Sequence, residues 1–150
     1  MTNMRDDWIP SDVIDFANYL HELRDHRENL KSALKSEDRQ RRKPLSPSER
    51  EEILLKTEGR CHVCGGLIDG PWQADHVFAH SGGGEHSVDN YLAAHQTCNN
   101  YRWDYLPDEF QEILRMGVWL RTQIERLTPA GRSAGEAFLR HERQRVSRRK

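Results

Sequence analysis

Two short pairs of metal-binding side chains, Cys61-x-x-Cys64 and His95-x-x-Cys98, constrain this chain more than any other feature. All three of its cysteines fall within these pairs. Thiolates and imidazole suit zinc, and a structural zinc takes four protein ligands in a tetrahedron. Cys61, Cys64, His95 and Cys98 supply a complete Cys3His shell. The competing reading makes the cysteines buried apolar residues or disulfide partners, and His95 an ordinary surface histidine. A disulfide framework would leave one cysteine over, so the spacing points to zinc.

The stretch between the pairs carries a second constellation that zinc does not need. It comprises Asp75-His76, the run Ser81-Gly82-Gly83-Gly84 and Asp89-Asn90, with Asn99 directly after the last cysteine. Residues 72–75 and 76–79 read as two short strands, and Asn90 as the lead into a helix over about residues 92–102. In this order the pieces resemble the HNH endonuclease family, the zinc-stapled form of the ββα-metal nuclease fold. The resemblance covers residues 61–101. Two positions depart from the usual pattern: His95 stands where the family usually has cysteine, and Asn99 where it often has histidine.

The resemblance implies a division of labour. His76 would be the general base, since imidazole titrates near neutrality and can accept a proton from water. Asp75 and the Asn99 carbonyl would hold one hard divalent ion, Mg2+ or Mn2+, which prefers oxygen ligands. Asn90 would tie down the loop and so orient His76, and the zinc would be structural. Arg102, three residues after Asn99, would share its helix face and reach a phosphate, or else form a surface salt bridge. His80 reads as a loop or phosphate-contacting residue, and His62 and His86 as exposed bystanders.

The chain has 150 residues, of which 35% are hydrophobic and 31% charged, which fits an α+β, mostly helical protein with a modest core. The expected organisation is an N-terminal helical extension over 1–43, a nuclease core over 44–106, and C-terminal helices with a basic tail over 107–150. No apolar run is long enough to span a membrane, and the amino terminus does not read as a signal segment. Zinc-type cysteines without a disulfide pattern fit a reducing cytoplasm, which is the expected location. The net charge of −1 does not by itself indicate a nucleic-acid binder. Two basic clusters, 39–43 (RQRRK) and 140–150 (RHERQRVSRRK), are phosphate contacts or solvated helix ends.

Ser11 reads as the cap of a first helix running to about Gln40. Its stripe of Val13, Phe16, Leu20, Leu23, Leu30 and Leu34 is interrupted by Arg27. It is expected to fold back on the core, the alternative being a zipper to a second copy or a partner protein. Ser46-Pro47-x-Glu49 is a capping box for a short helix over about 49–57. The aromatic run 101–105 is expected to pack a helix end rather than stack on bases. Pro107 starts a helix to about Leu127 with a core-forming apolar face, and a last polar helix, with a basic end ordered only by nucleic acid, starts near Ser133. The function expected is DNA phosphodiester hydrolysis, by nicking or double-strand cutting, in a phage, mobile-element, restriction or defence setting. The alternative is a zinc-stapled DNA-binding module without catalysis. RNA as substrate stays open.

Overall fold

The computed structural model describes residues 9–33 and 43–148 and divides into two compact units, one ending at Glu109 and the other starting at Phe110. The basic stretch Arg39–Arg42 and the last two residues lie outside the described segments. In chain order the elements are α1 (Val13–Ala33), α2 (Pro47–Leu55), β1 (Trp72–His76), β2 (Tyr91–His95), α3 (Gln96–Arg102), α4 (Pro107–Glu125) and α5 (Pro129–Ser147). Among the described residues no helix is long and apolar enough to cross a membrane.

The α2 start follows its local chemistry. The Ser46 hydroxyl accepts from the Glu49 amide at 3.3 Å, and the Ser46 amide donates to the Glu49 carboxylate at 2.7 Å. Pro47 occupies the first turn, where its missing N–H costs nothing. The helix places Ile53, fully buried, against Tyr91 and Ala93, with Leu45, Leu54, Ile68, Trp72, Ala74 and Val88 around them. Burying one such side chain stabilises by about 2 kcal/mol.

β1 and β2 form a two-stranded antiparallel ribbon in which Trp72 opposes His95 and His76 opposes Tyr91. The second strand is therefore Tyr91–His95, not residues 76–79, and the expected helix over 92–102 begins only at Gln96. Burial explains the difference. Tyr91 and Ala93 alternate onto Ile53, whereas Val77 and Phe78 are exposed, and their amides bond to the Asn90 carbonyl and side chain. Residues 77–90 form a loop with 3-10 turns at His80–Gly82 and Val88–Asn90. Gly83 takes φ +96. A Cβ on Gly84 would lie 1.9 Å from the Phe78 carbonyl oxygen, so this loop closes only around glycine.

At the start of α1 it is Asp12, not Ser11, whose carboxylate accepts from the Ile14 and Asp15 amides. The helix is anchored by the residue that interrupts its stripe. Arg27 is 5% exposed, and its Nε lies 3.0 Å from Glu109, which also accepts from the Leu106 amide at 3.0 Å. Its guanidinium lies 4.8 Å from the centre of the Trp103 ring and 5.4 Å from that of Tyr105. Lys31, one turn on, pairs with Asp104. Val13 and Ile14, at the amino end of the stripe, are exposed. α1 thus docks on its own unit through a charged anchor, which accounts for Arg27 without a zipper partner.

In the second unit Thr128 caps α5 by accepting from the Gly131 amide at 3.1 Å, with Pro129 in the first turn. The stretch 128–131 therefore starts a helix that had been expected only near Ser133. The basic segment is helical through Ser147, with Arg145 paired to Glu142. Gly131 permits the close approach: its Cβ would fall 2.1 Å from the Gln123 carbonyl oxygen. The α4 stripe is not the core it was expected to form, because Ile113, Leu114, Met116, Val118, Trp119 and Leu127 are exposed. A two-helix hairpin offers each helix one neighbour, too few to cover so wide an apolar face.

Removing Arg27 leaves Glu109 buried without its counter-charge. Arg27→Ala should cost about 3–5 kcal/mol, while Arg27→Met combined with Glu109→Gln should recover most of that. Urea unfolding of the three proteins measures both.

Candidate active site

The Cys3His set is brought together by three local structures. The Cys61–Gly66 knuckle closes on itself, with the Gly65 amide bonded to the Cys61 carbonyl at 2.8 Å and the Cys61 amide to the Gly66 carbonyl at 2.9 Å. Gly65 takes φ +72 to make that turn. His95 ends β2, and Cys98 lies in the first turn of α3. One ligand atom from each of Cys61, Cys64, His95 and Cys98 lies within 4.8 Å of all the others. The His95 Nε2–H donates to the Leu67 carbonyl at 3.0 Å, which leaves Nδ1 facing the sulfurs of Cys64 at 3.4 Å and Cys98 at 3.9 Å. A backbone acceptor that fixes the tautomer of a ligating histidine is the usual support of a zinc site. The donor set and its geometry fit a structural zinc.

The thiols are electrostatically unequal. Burial acts to raise Cys61, but hydrogen bonds from the Cys64, His95 and Val63 amides outweigh it and bring the thiol down to about 6. Burial pushes Cys98 up to about 12, reinforced by hydrogen bonding with Cys64 and Cys61 and by their charge. His95 is raised, first by its bond to Leu67 and then by Cys64.

Beside the knuckle, a cleft of about 840 Å³ is lined by Asp75, His76, His80, Asn99 and Arg102 among others. Strand alternation sends neighbouring side chains of β1 to opposite faces of the ribbon. Gln73 and Asp75 face α3, where the Asn99 amide donates to Gln73 at 2.6 Å and Arg102 reaches Asp75. Trp72 and Ala74 face the α2 side, and His76 packs against the Tyr91 ring at 4.3 Å between centres. His76 is the last residue of β1, so the end of the ribbon is where both faces meet one cleft.

Asn90 does not line this cleft. Its side chain accepts from the Phe78 amide at 2.9 Å and donates to the carbonyls of Phe78 at 3.1 Å and Glu85 at 2.8 Å. It clamps both arms of the loop that follows His76.

Three sequence expectations change here. Arg102 is buried, neither a phosphate contact nor a surface salt bridge. Its Nη1 donates to both Asp75 oxygens at 3.0 and 3.1 Å and to the His76 carbonyl at 2.8 Å, and its Nη2 to the Val77 carbonyl at 2.6 Å. His62 is no bystander, since its Nε2 lies 2.7 Å from Asp75 Oδ2. His86 likewise joins the site, bonded to the Tyr91 hydroxyl and to the Lys43 backbone, with its ring 5.7 Å from that of His76. His80 stands 5.4 Å from His76, so three imidazoles gather at this end of the cleft. No periodicity marks these partners; histidine content close to the metal pairs was the one available signal.

Asp75 is 4% exposed and accepts from Arg102 and His62. These bonds use three of about four acceptor positions on a carboxylate. One position on Oδ1 is left for a cation. Donation by the Asn99 nitrogen to Gln73 leaves the Asn99 carbonyl oxygen as its other polar group. Both Asp75 and Asn99 line the cleft.

Because the Cys98 thiol sits near 12 in the metal-free site, zinc uptake at neutral pH must expel its proton. Zinc affinity should rise with pH across the neutral range, and titration calorimetry in buffers of different ionisation enthalpy should show proton release. Cys98→Ser should lose zinc and melt the first unit at a lower temperature.

Residues 61–102, from the first zinc cysteine to the buried arginine, match the family model described as HNH endonuclease. No curated protein matches the chain. The matched segment contains the knuckle, the ribbon, the loop and α3, and with them the four Cys3His ligands and Asp75, His76 and Asn99.

Proposed function

We propose that this chain is a metal-dependent endonuclease that hydrolyses DNA phosphodiesters, with His76 as general base. The observation that carries the reading is the convergence of His76, Asp75 and Asn99 on one cleft, none of them needed by the zinc. His76 accepts the proton of the attacking water, and general-base assistance of this kind contributes about 10²–10⁴-fold. Asn90, by clamping Phe78 and Glu85, holds the loop and thereby the setting of His76. Arg102 and His62 hold the Asp75 carboxylate in place. A divalent ion such as Mg2+ or Mn2+ on Asp75 and Asn99 would polarise the phosphate and stabilise the departing 3′ oxygen. The products are a 5′-phosphate and a 3′-hydroxyl. In this organisation residues 44–106 form the catalytic core, with α1 before it and α4 and α5 after it.

One observation favours a second reading. Asp75 already has Arg102 and His62 as partners, so its carboxylate is satisfied as a structural ion pair. On that reading the unit binds DNA without cutting it.

Supercoiled plasmid separates the two. The wild-type protein should convert it to nicked or linear DNA in Mg2+ or Mn2+ and not in EDTA, and His76→Ala should lower the rate at least about 100-fold. Binding of plasmid with intact zinc and no cleavage under any ion would support the second reading.

A further inference from the structure

We propose that Trp103 is a stacking platform for an unpaired nucleobase at the rim of the cleft, a proposal that rests on DNA being the substrate of that cleft. Its sequence context, Tyr101-Arg102-Trp103-Asp104-Tyr105, suggested packing at a helix end. The structure separates the members of this run. Arg102 is buried and Asp104 is mostly covered, bonded to Ser81 and Lys31, whereas Trp103 between them is 56% exposed.

The backbone is set to present this side chain. Trp103 has φ 49 and ψ −136, a conformation natural to glycine and strained for a bulky residue. Such strain persists only where the surroundings enforce it, and it concentrates at functional sites. Here the turn is held on both sides. The Trp103 amide bonds to the Asn99 carbonyl at 2.9 Å, Arg102 is strapped to Asp75, His76 and Val77, and Asp104 is tied to Ser81 at 3.1 Å.

The ring is also braced. Arg27 and Lys31, one turn apart on α1, bring cations to 4.8 and 5.0 Å from its centre, and Tyr105 stands edge-on at 5.4 Å. Although these groups brace it, more than half of the Trp103 surface stays open to solvent. Trp103 lines the same cleft as His76, Asn99 and Asn100. An indole fixed in this way gives a base a flat apolar surface at little entropic cost. Bases inside a duplex are already stacked on their neighbours. The platform therefore selects a nucleotide that is unpaired, as in a single strand, a gap, a branch or a flipped base. Stacking accepts any base, so the selection is for strand state and not for sequence.

The test uses the full-length zinc protein without added divalent ion and measures fluorescence anisotropy on labelled single strands, on matched duplexes and on single strands with abasic positions. Three variants accompany the wild type: Trp103→Phe, which keeps an aromatic face; Trp103→Ala; and Trp103→Gly, which removes the ring while accepting the positive φ. Zinc content and thermal melting confirm folding of each. Trp103→Ala and Trp103→Gly should bind single strands about tenfold more weakly, the effect of one lost stack. Trp103→Phe should stay within about threefold of wild type, since its smaller ring still stacks. Abasic single strands should bind wild type as weakly as normal strands bind the Gly variant, and duplex affinity should change little. Equal affinity of wild type and the folded Gly variant for single strands, or indifference of the wild type to abasic positions, would overturn the platform while leaving plasmid cleavage to judge the nuclease reading. Failure of the wild type to bind any single strand would likewise overturn the platform, with plasmid cleavage again judging the nuclease reading.

Discussion

The four-ligand Cys3His centre is the tie on which the rest of the first unit depends, because little else there is fully buried. Its core amounts to Ile53, Tyr91 and Ala93 with a rim of half-buried neighbours. A two-stranded ribbon is marginal on its own and needs a helix or a cross-link to persist. The zinc ligands supply that cross-link at three places: the knuckle at Cys61 and Cys64, the end of β2 at His95, and the first turn of α3 at Cys98. α3 is only seven residues long, too short to be stable by itself, so it depends on its ligand and on the bonds of Asn99 and Arg102 to β1.

From that tie a buried polar network runs to the cleft. His62 lies inside the knuckle, donates its amide to the Ala93 carbonyl at 2.9 Å, and meets Asp75 through its ring. Asp75 meets Arg102 at the far end of α3, and Arg102 in turn holds the carbonyls of His76 and Val77. The backbone carrying the proposed base is thus linked to the metal centre by a chain of charge-assisted bonds, which are strong in a low-dielectric interior only while every member is paired.

Local chemistry was legible wherever a residue acts on its own neighbours in sequence. The ligand pairs and the capping box at Ser46 and Glu49 are of this kind. The second strand was misplaced because Val77-Phe78-Ala79 and Tyr91-Leu92-Ala93 are similar short apolar runs. What separates them is which one meets Ile53. Arg27 read as a fault in an apolar stripe because its partners, Glu109 and the rings of Trp103 and Tyr105, lie far along the chain. The same distance hid the roles of His62 and His86.

The sequence by itself determined the zinc ligand set, the α+β class and the residues that resemble a nuclease site, since each depends on residue type and short spacing. Only the tertiary structure decided what those residues face. Strand alternation put Asp75 and His76 on opposite sides of one ribbon. Burial turned Arg102 inward to pair with Asp75, and the enforced turn after α3 left Trp103 at the cleft. Each outcome depends on partners that meet only when the ribbon and helices pack, and such pairings leave no periodic trace along the chain.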